Sequence, residues 1–300
     1  MCSVVLHRKA AREWGVNVRE MVDEGRARLP KREGLPDPRR EARWLLARAW
    51  GVPETWLRLH PGAEAPAEVV GRFRDWIERR ALGEPAHHLT GTCPFWNRDF
   101  IVSPAVLIPR PETELIVATV LEMETPKKAR LLDVGTGSGC LAVTFALERP
   151  EWWVTATDLS GEALIVAGRN AARLGARVRL VRCDLATAIR GSFDVIVANL
   201  PYVRSSAMPR LPVEVHHDPP AALDGGAGGL ELIARLVTGL PRLLASQGIA
   251  LLEIGEGQVG AVEALVRGVD LVVLRRLKDL GGCERVIVLG RMKDDGYSSV

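Results

Sequence analysis

The residues best suited to chemistry are Asn199-Leu200-Pro201-Tyr202, which follow the apolar run Phe193-Asp194-Val195-Ile196-Val197-Ala198. A buried strand that ends in asparagine and then turns at proline offers two acceptors to one planar NH2 group. These are the side-chain carbonyl of Asn199 and the backbone carbonyl of Leu200. Two acceptors on one nitrogen fix its plane and favour loss of a proton as the nitrogen becomes cationic. Tyr202 follows closely enough to lie against the same planar group. Asn199, Leu200 and Tyr202 are therefore the candidate catalytic residues, and with Pro201 they form the candidate substrate-holding turn.

Other strand ends carry a second set. Leu132-Asp133-Val134 runs into Gly135-Thr136-Gly137-Ser138-Gly139. Glycines at this spacing turn tightly and let a ligand touch bare backbone. The dinucleotide fingerprint would place its third glycine at position 140, which is Cys140, so a pyrophosphate is not required here. The next apolar run ends in Asp158. That carboxylate could accept both hydroxyls of a ribose or cap the following helix. The third ends in Cys183-Asp184-Leu185, an acid for an adenine amino group beside an apolar side chain for the ring face. A nucleoside site without a phosphate-binding lysine suits S-adenosylmethionine better than NAD or ATP.

Ligands of open α/β sheets bind beyond the carboxyl ends of the strands, and the patterning supplies such a sheet. Strands are expected at 130–134, 153–157, 178–181, 193–198, 249–254, 271–275 and 284–289. Helices are expected at 112–122, from the glycine loop to 147, and at 161–174, 230–244 and 259–266. This alternation predicts the α/β class with a mostly parallel seven-stranded sheet. Upstream, residues 10–85 read as helical. Ala42, Leu45, Leu46 and Ala49 have helical spacing behind the Asp37-Pro38 start signal, and Val70, Phe73, Ile77 and Leu82 repeat it. Between the two parts, Gly83 to Pro111 reads as a β-hairpin or extended linker, with Phe95 to Val102 extended. The expected organisation is a helical domain over 1–85, a hairpin linker over 86–111, a catalytic domain over 112–292 and a flexible tail over 293–300.

Composition sets the remaining bounds. The chain has 300 residues, 47% hydrophobic and 26% charged, which fits two globular domains and excludes a disordered chain. The uncharged run Val134–Leu147 is too short for a membrane span. His7, Arg8 and Lys9 interrupt any signal-peptide core, so a cytoplasmic protein is expected. The five cysteines are scattered without a CxxC pair, and adjacent histidines in a strand would face opposite ways, so no metal site is expected. Of the net charge of +3, the front of the chain through residue 110 holds the basic excess. Either an anionic partner for that part or merely an arginine-rich composition explains it. Tryptophans concentrate in the same region, where they could face nucleic acid or form the core of a helical bundle.

The motifs together resemble the HemK/PrmC family of release factor glutamine methyltransferases. The resemblance is carried by Gly83-Glu84-Pro85, Leu89-Thr90-Gly91, Phe95-Trp96 and Asp99-Phe100, and by the run from Leu107-Ile108-Pro109-Arg110 to Pro111-Glu112-Thr113-Glu114-Leu115. Asp133 to Gly139, Asn170-Ala171, Asn199 to Tyr202, Asp218-Pro219, Ala222 to Gly226, Gly229-Leu230 and Gly281 to Val288 extend it over about residues 35–291. The resemblance implies a Rossmann-like S-adenosylmethionine-dependent methyltransferase domain behind a substrate-recognising helical domain. It also implies methylation of the side-chain amide of a glutamine in a peptide chain release factor. Gly135, Thr136, Gly137, Ser138, Gly139, Asp158 and Asn199 would contact the cofactor, with Asp184 and Leu185 at its adenine, and Asn199 to Tyr202 would hold the glutamine. A monomer is expected, without stable nucleic-acid binding. Two departures stand out: Leu185 replaces a frequent aromatic residue, and Leu200 replaces a proline. The second keeps open a non-catalytic cofactor-binding module. An adenine-N6 DNA methyltransferase, which needs the same pair of acceptors, is the other alternative.

Overall fold

The structure is a computed structural model that describes residues 15–31 and 36–292. The expected tail over 293–300, the start of the helical region at 10–14, and Trp14 lie outside the described residues. The chain divides into two compact units, residues 1–90 and 91–300.

The first unit is helical: α1 (Val18–Arg28), α2 (Pro38–Trp50), α3 (Glu54–Leu59), α4 (Ala67–Ala81) and α5 (Ala86–Thr90). Local signals set these ends. Asn17 and Glu20 form a reciprocal capping box on α1. Asp37 accepts the backbone N–H groups of Arg39 and Arg40 with Pro38 in the first turn of α2, and α2 stops at a left-handed Gly51. The apolar faces meet in a core that includes Met21, Leu45, Leu46, Leu57, Phe73 and Ile77. Trp44, Trp50, Trp56 and Trp76 pack half-buried against it, so their first role is to close a small bundle. Within this core Arg80 Nε donates to Glu41 Oε1 at 2.6 Å, and both side chains are buried.

The second unit opens with an antiparallel hairpin, β1 (Thr92–Phe95) and β2 (Arg98–Ile101). This corrects the linker expected over 86–111. Residues 86–90 are helical and belong to the first unit. The hairpin buries Phe95 and Phe100 in one core with Ile116, Val117, Phe145 and Trp152, so it is part of the second unit's core. Trp96 and Asn97 turn the chain at φ 47° and 58°, the left-handed pair that a two-residue hairpin requires.

The rest alternates helix and strand: α6 (Glu114–Glu122), β3 (Arg130–Val134), α7 (Cys140–Glu148), β4 (Trp153–Asp158), α8 (Gly161–Leu174), β5 (Val178–Arg182) and β6 (Phe193–Ala198). Then follow α9 (Glu231–Gly239), β7 (Leu244–Glu253), α10 (Val259–Val266), β8 (Leu271–Lys278) and β9 (Glu284–Arg291). Seven strands form one sheet in the order β5-β4-β3-β6-β7-β9-β8. The first five run parallel, and β9 is antiparallel to both β7 and β8. Side chains alternate across this sheet. Leu131, Val195, Val197 and Leu251 join one core, while Leu132, Val134, Ile196, Ala198 and Leu252 join the other. From β3 the chain proceeds to β4 on one side and later to β6 on the other. The switch point of the topology, where ligands bind, therefore lies between β3 and β6.

One helix is shorter than its pattern suggests. The expected helix over 230–244 ends at Gly239, a 3-10 turn covers Leu240–Arg242, and β7 starts at Leu244 instead of Ile249. Pro241 cannot continue an α-helical hydrogen-bond ladder. No helix among the described residues is long and apolar enough to cross a membrane.

Candidate active site

The parallel register sets the carboxyl ends of β3 to β7 along one edge, and the predicted site residues follow from those ends. Gly135, Gly137 and Gly139 all have positive φ, at 75°, 55° and 82°, a conformation that side chains other than glycine's resist. A Cβ on Gly139 would lie 3.0 Å from Ala167 Cβ, while the space over Gly137 is open. Thr136 and Ser138 are buried supports of this loop. The Thr136 hydroxyl donates to Asp133 Oδ2 at 2.6 Å. The Ser138 carbonyl accepts from Asn170 Nδ2 at 2.9 Å. Asn170 also takes the N–H of Ile101 and donates to its carbonyl, so one buried amide ties the hairpin to the glycine loop.

These residues fit S-adenosylmethionine, which carries an ammonium group, a ribose diol and adenine. Asp133 Oδ1 is buried without a hydrogen-bond partner among the described residues. Burial pushes this carboxyl up to about 7 against the hydrogen bonds from Thr136 and Ala142. A cationic donor would satisfy it and favour its charged form. At the end of β4, Asp158 Oδ2 accepts the Gly137 N–H at 2.9 Å and Oδ1 accepts the Ser160 N–H at 2.8 Å. Each oxygen keeps acceptor capacity for a hydroxyl. The cap of α8 is Ser160, not Asp158. Asp184 is ion-paired with Arg235 through Oδ2, which leaves Oδ1 for a ligand. Leu185 has φ 49°, rare for a bulky residue, and packs against the sheet core.

The Asn199 turn is held by residues that sequence reasoning did not single out as functional. Asn199 Nδ2 donates to Thr113 Oγ1 at 3.0 Å, and Thr113 Oγ1 donates to Glu253 Oε2 at 2.6 Å. Tyr202 Oη donates to Glu253 Oε1 at 3.4 Å. Glu253 terminates β7 and is buried. Thr113 sits in the 3-10 turn Pro111–Thr113. The turn before it is anchored by Asp218, which accepts the Ile108 N–H at 3.2 Å and Arg110 Nη2 at 2.6 Å. Gln258 Nε2 donates to the Tyr202 carbonyl at 3.0 Å. Gly229 lies so close that a Cβ there would sit 2.5 Å from that carbonyl oxygen. Leu200 turns its side chain into the core beneath the glycine loop, where its Cδ2 would be 2.9 Å from a Cβ on Gly135. The loop after β6 is thus held at Asn199, Leu200 and Tyr202.

Comparisons with known proteins bear on the family and the fold. The family model described as PrmC N-terminal domain matches residues 20–91, and that described as Methyltransferase small domain matches residues 112–249. The chain is 42% identical to the release factor glutamine methyltransferase of Koribacter versatilis, over 84% of this chain and 91% of the relative. It is 39% identical to that of Moorella thermoacetica, over 93% of this chain and 100% of the relative. Among solved structures, a methyltransferase from Pyrococcus furiosus superposes with a TM-score of 0.52 at 20% identity, covering 66% of this chain and 90% of that one. That likeness is one of fold. None of these relatives lends support to the DNA-adenine or non-catalytic alternatives.

Proposed function

From a chain that belongs to the family of release factor glutamine methyltransferases, we infer S-adenosylmethionine-dependent methylation of a glutamine side-chain amide in a peptide chain release factor. We propose that Asn199 and the Leu200 carbonyl hold the amide. The cofactor, when bound, supplies an electrophilic methyl carbon on a sulfonium. Gly135 to Gly139 would hold its amino-acid part, Asp133 its ammonium, Asp158 its ribose, and Asp184 with Leu185 its adenine.

The single observation that carries this reading is the tethered amide of Asn199. Its NH2 is committed to Thr113, so Oδ1 is left for the NH2 of the substrate. An amide nitrogen is a poor nucleophile because its lone pair is delocalised. Two carbonyl oxygens accepting its N–H bonds raise electron density on it and stabilise the positive charge that grows as the new bond forms. The same oxygens orient the nitrogen, and positioning supplies much of the rate in a displacement of this kind. Tyr202, fixed by Glu253 and Gln258, offers a ring face to the planar amide. The N-terminal helical domain serves to recognise the protein substrate. We further propose that the enzyme acts in the cytoplasm as a monomer without nucleic acid.

Incubation with S-adenosylmethionine labelled at its methyl group and a purified release factor should place label on one glutamine. Label elsewhere, or none, would overturn the assignment. Leu200→Pro tests the departure from the family. A fixed φ pre-sets the carbonyl, so turnover should rise. Part of a buried leucine is lost, so stability should fall by about 1–3 kcal/mol. Steady-state kinetics and urea unfolding of one preparation measure both.

A further inference from the structure

We propose that Glu253 and Thr113 are positioning residues that set the hydrogen-bond polarity of Asn199, so that an ionised Glu253 is what presents an acceptor to the substrate amide. This rests on the glutamine-methylation reading and names how its acceptor is kept facing the right way.

The argument is one of counting donors. An ionised carboxylate only accepts. With Thr113 Oγ1 at 2.6 Å from Oε2, the single hydroxyl proton of Thr113 is committed to Glu253. Its oxygen then has lone pairs alone to offer to position 199. Asn199 must meet a lone pair with its NH2, at 3.0 Å, and its carbonyl is turned the other way. The second carboxylate oxygen takes the Tyr202 hydroxyl. One buried acid therefore orients both side chains that flank the substrate amide. A proton on Glu253 reverses this logic. The acid becomes a donor, the Thr113 hydroxyl is released to point toward position 199, and the Asn199 amide is free to turn over. It would then show the substrate an NH2 where an acceptor is needed.

The surroundings make that proton relevant. Burial pushes the Glu253 carboxyl up to about 7, and the nearby charge of Glu112 adds to it. The hydrogen bonds from Thr113 and Tyr202 and the charge of Arg285 on β9 oppose it. Arg110 and Arg285 bear on the neighbouring Tyr202 hydroxyl, which the same carboxylate accepts. The signs for activity and folding are opposite. Activity requires the ionised form and rises as pH climbs through about 7. The stability contributed by a carboxyl whose pKa is raised on folding is full below its ordinary value of 4.5, declines as pH rises from there and levels off above about 7. An acid loss of turnover from Glu253 therefore comes without loss of fold.

The test uses the full chain, a purified release factor and labelled S-adenosylmethionine, with cofactor affinity measured by calorimetry. Thr113→Val and Glu253→Gln should each lower kcat by about ten- to a hundredfold, with KM and cofactor affinity changed by less than about threefold. Thr113→Ser, which keeps the hydroxyl, should stay within about threefold of wild type. The rise in kcat between about pH 6 and 8 should vanish in Glu253→Gln. An undiminished kcat in Thr113→Val, or Thr113→Ser as slow as Thr113→Val, would overturn the proposal. So would an unaltered pH profile in Glu253→Gln, which would assign the titration to Asp133. Thr113→Val is nearly isosteric, so it decides the matter even if Glu253→Gln does not fold. A wild-type enzyme that labels no glutamine overturns the parent reading; a wild type that labels beside an unaffected Thr113→Val overturns only this one.

Discussion

Asn199→Ala should lower kcat by about 10²- to 10³-fold, the loss expected when one preorganised group at a developing charge is removed. The fold should persist, because Asn199 sits at a strand end and its side chain is held by a hydrogen bond to Thr113. Cofactor affinity should fall by less than about tenfold, since the glycine loop and Asp158 remain intact. Asn199→Asp is the sharper companion. Aspartate has nearly the same shape and keeps an acceptor toward the substrate, so a simple need for an oxygen would leave it active. Position 199, however, faces a Thr113 oxygen whose proton goes to Glu253. An aspartate there would set a charge against lone pairs with a second carboxylate behind them. Its kcat should fall as far as that of alanine. Single-turnover methyl transfer at saturating cofactor measures both variants, and an Asn199→Asp enzyme near wild-type rate would refute the tethered-amide account.

The second large effect concerns stability. Glu41→Ala should destabilise the N-terminal unit by about 1.5–3 kcal/mol, because it removes a buried carboxylate that the Arg80 guanidinium meets at 2.6 Å. The side chains of Arg80 and Glu41 are only 4% and 7% exposed. Replacing both partners by Glu41→Leu and Arg80→Met should recover most of the loss, since the pair's own desolvation cost disappears with it. Urea unfolding of the full-length single and double variants reads the difference. A single variant within about 1 kcal/mol of wild type would show that the pair is not desolvated as described.

The substrate-facing half of the site is legible because its residues interrupt strong patterns. Asn199 ends an unbroken apolar strand, and glycines at 135, 137 and 139 cannot be mistaken for helix. The supporting half is not. Glu253 lies at the end of Ile249-Ala250-Leu251-Leu252, the same kind of place that marks Asp158 and Asn199, yet the strand-end reading stops at the fourth strand and leaves out the fifth. A lone acid closing an apolar strand on the ligand edge is the signal that finds it. Thr113 carries no such mark: only the fold brings it across from the 3-10 turn to Asn199. In the fold, the hairpin is legible but its turn is not, because Trp96-Asn97 lacks the glycine that usually announces paired left-handed residues. The stretch from Leu230 to Leu244 misleads for a physical reason. Ile233, Leu236, Val237, Leu240, Leu243 and Leu244 are all buried at helical spacing, yet Pro241 divides them between a helix, a turn and a strand.

Asn170 joins two parts of the second unit that sequence treats as unrelated. Its three hydrogen bonds hold Ile101 of the hairpin and Ser138 of the glycine loop in a single rigid bracket. A shift of the hairpin backbone would therefore strain hydrogen bonds that also seat the glycine cradle, so the two parts can only be rebuilt together.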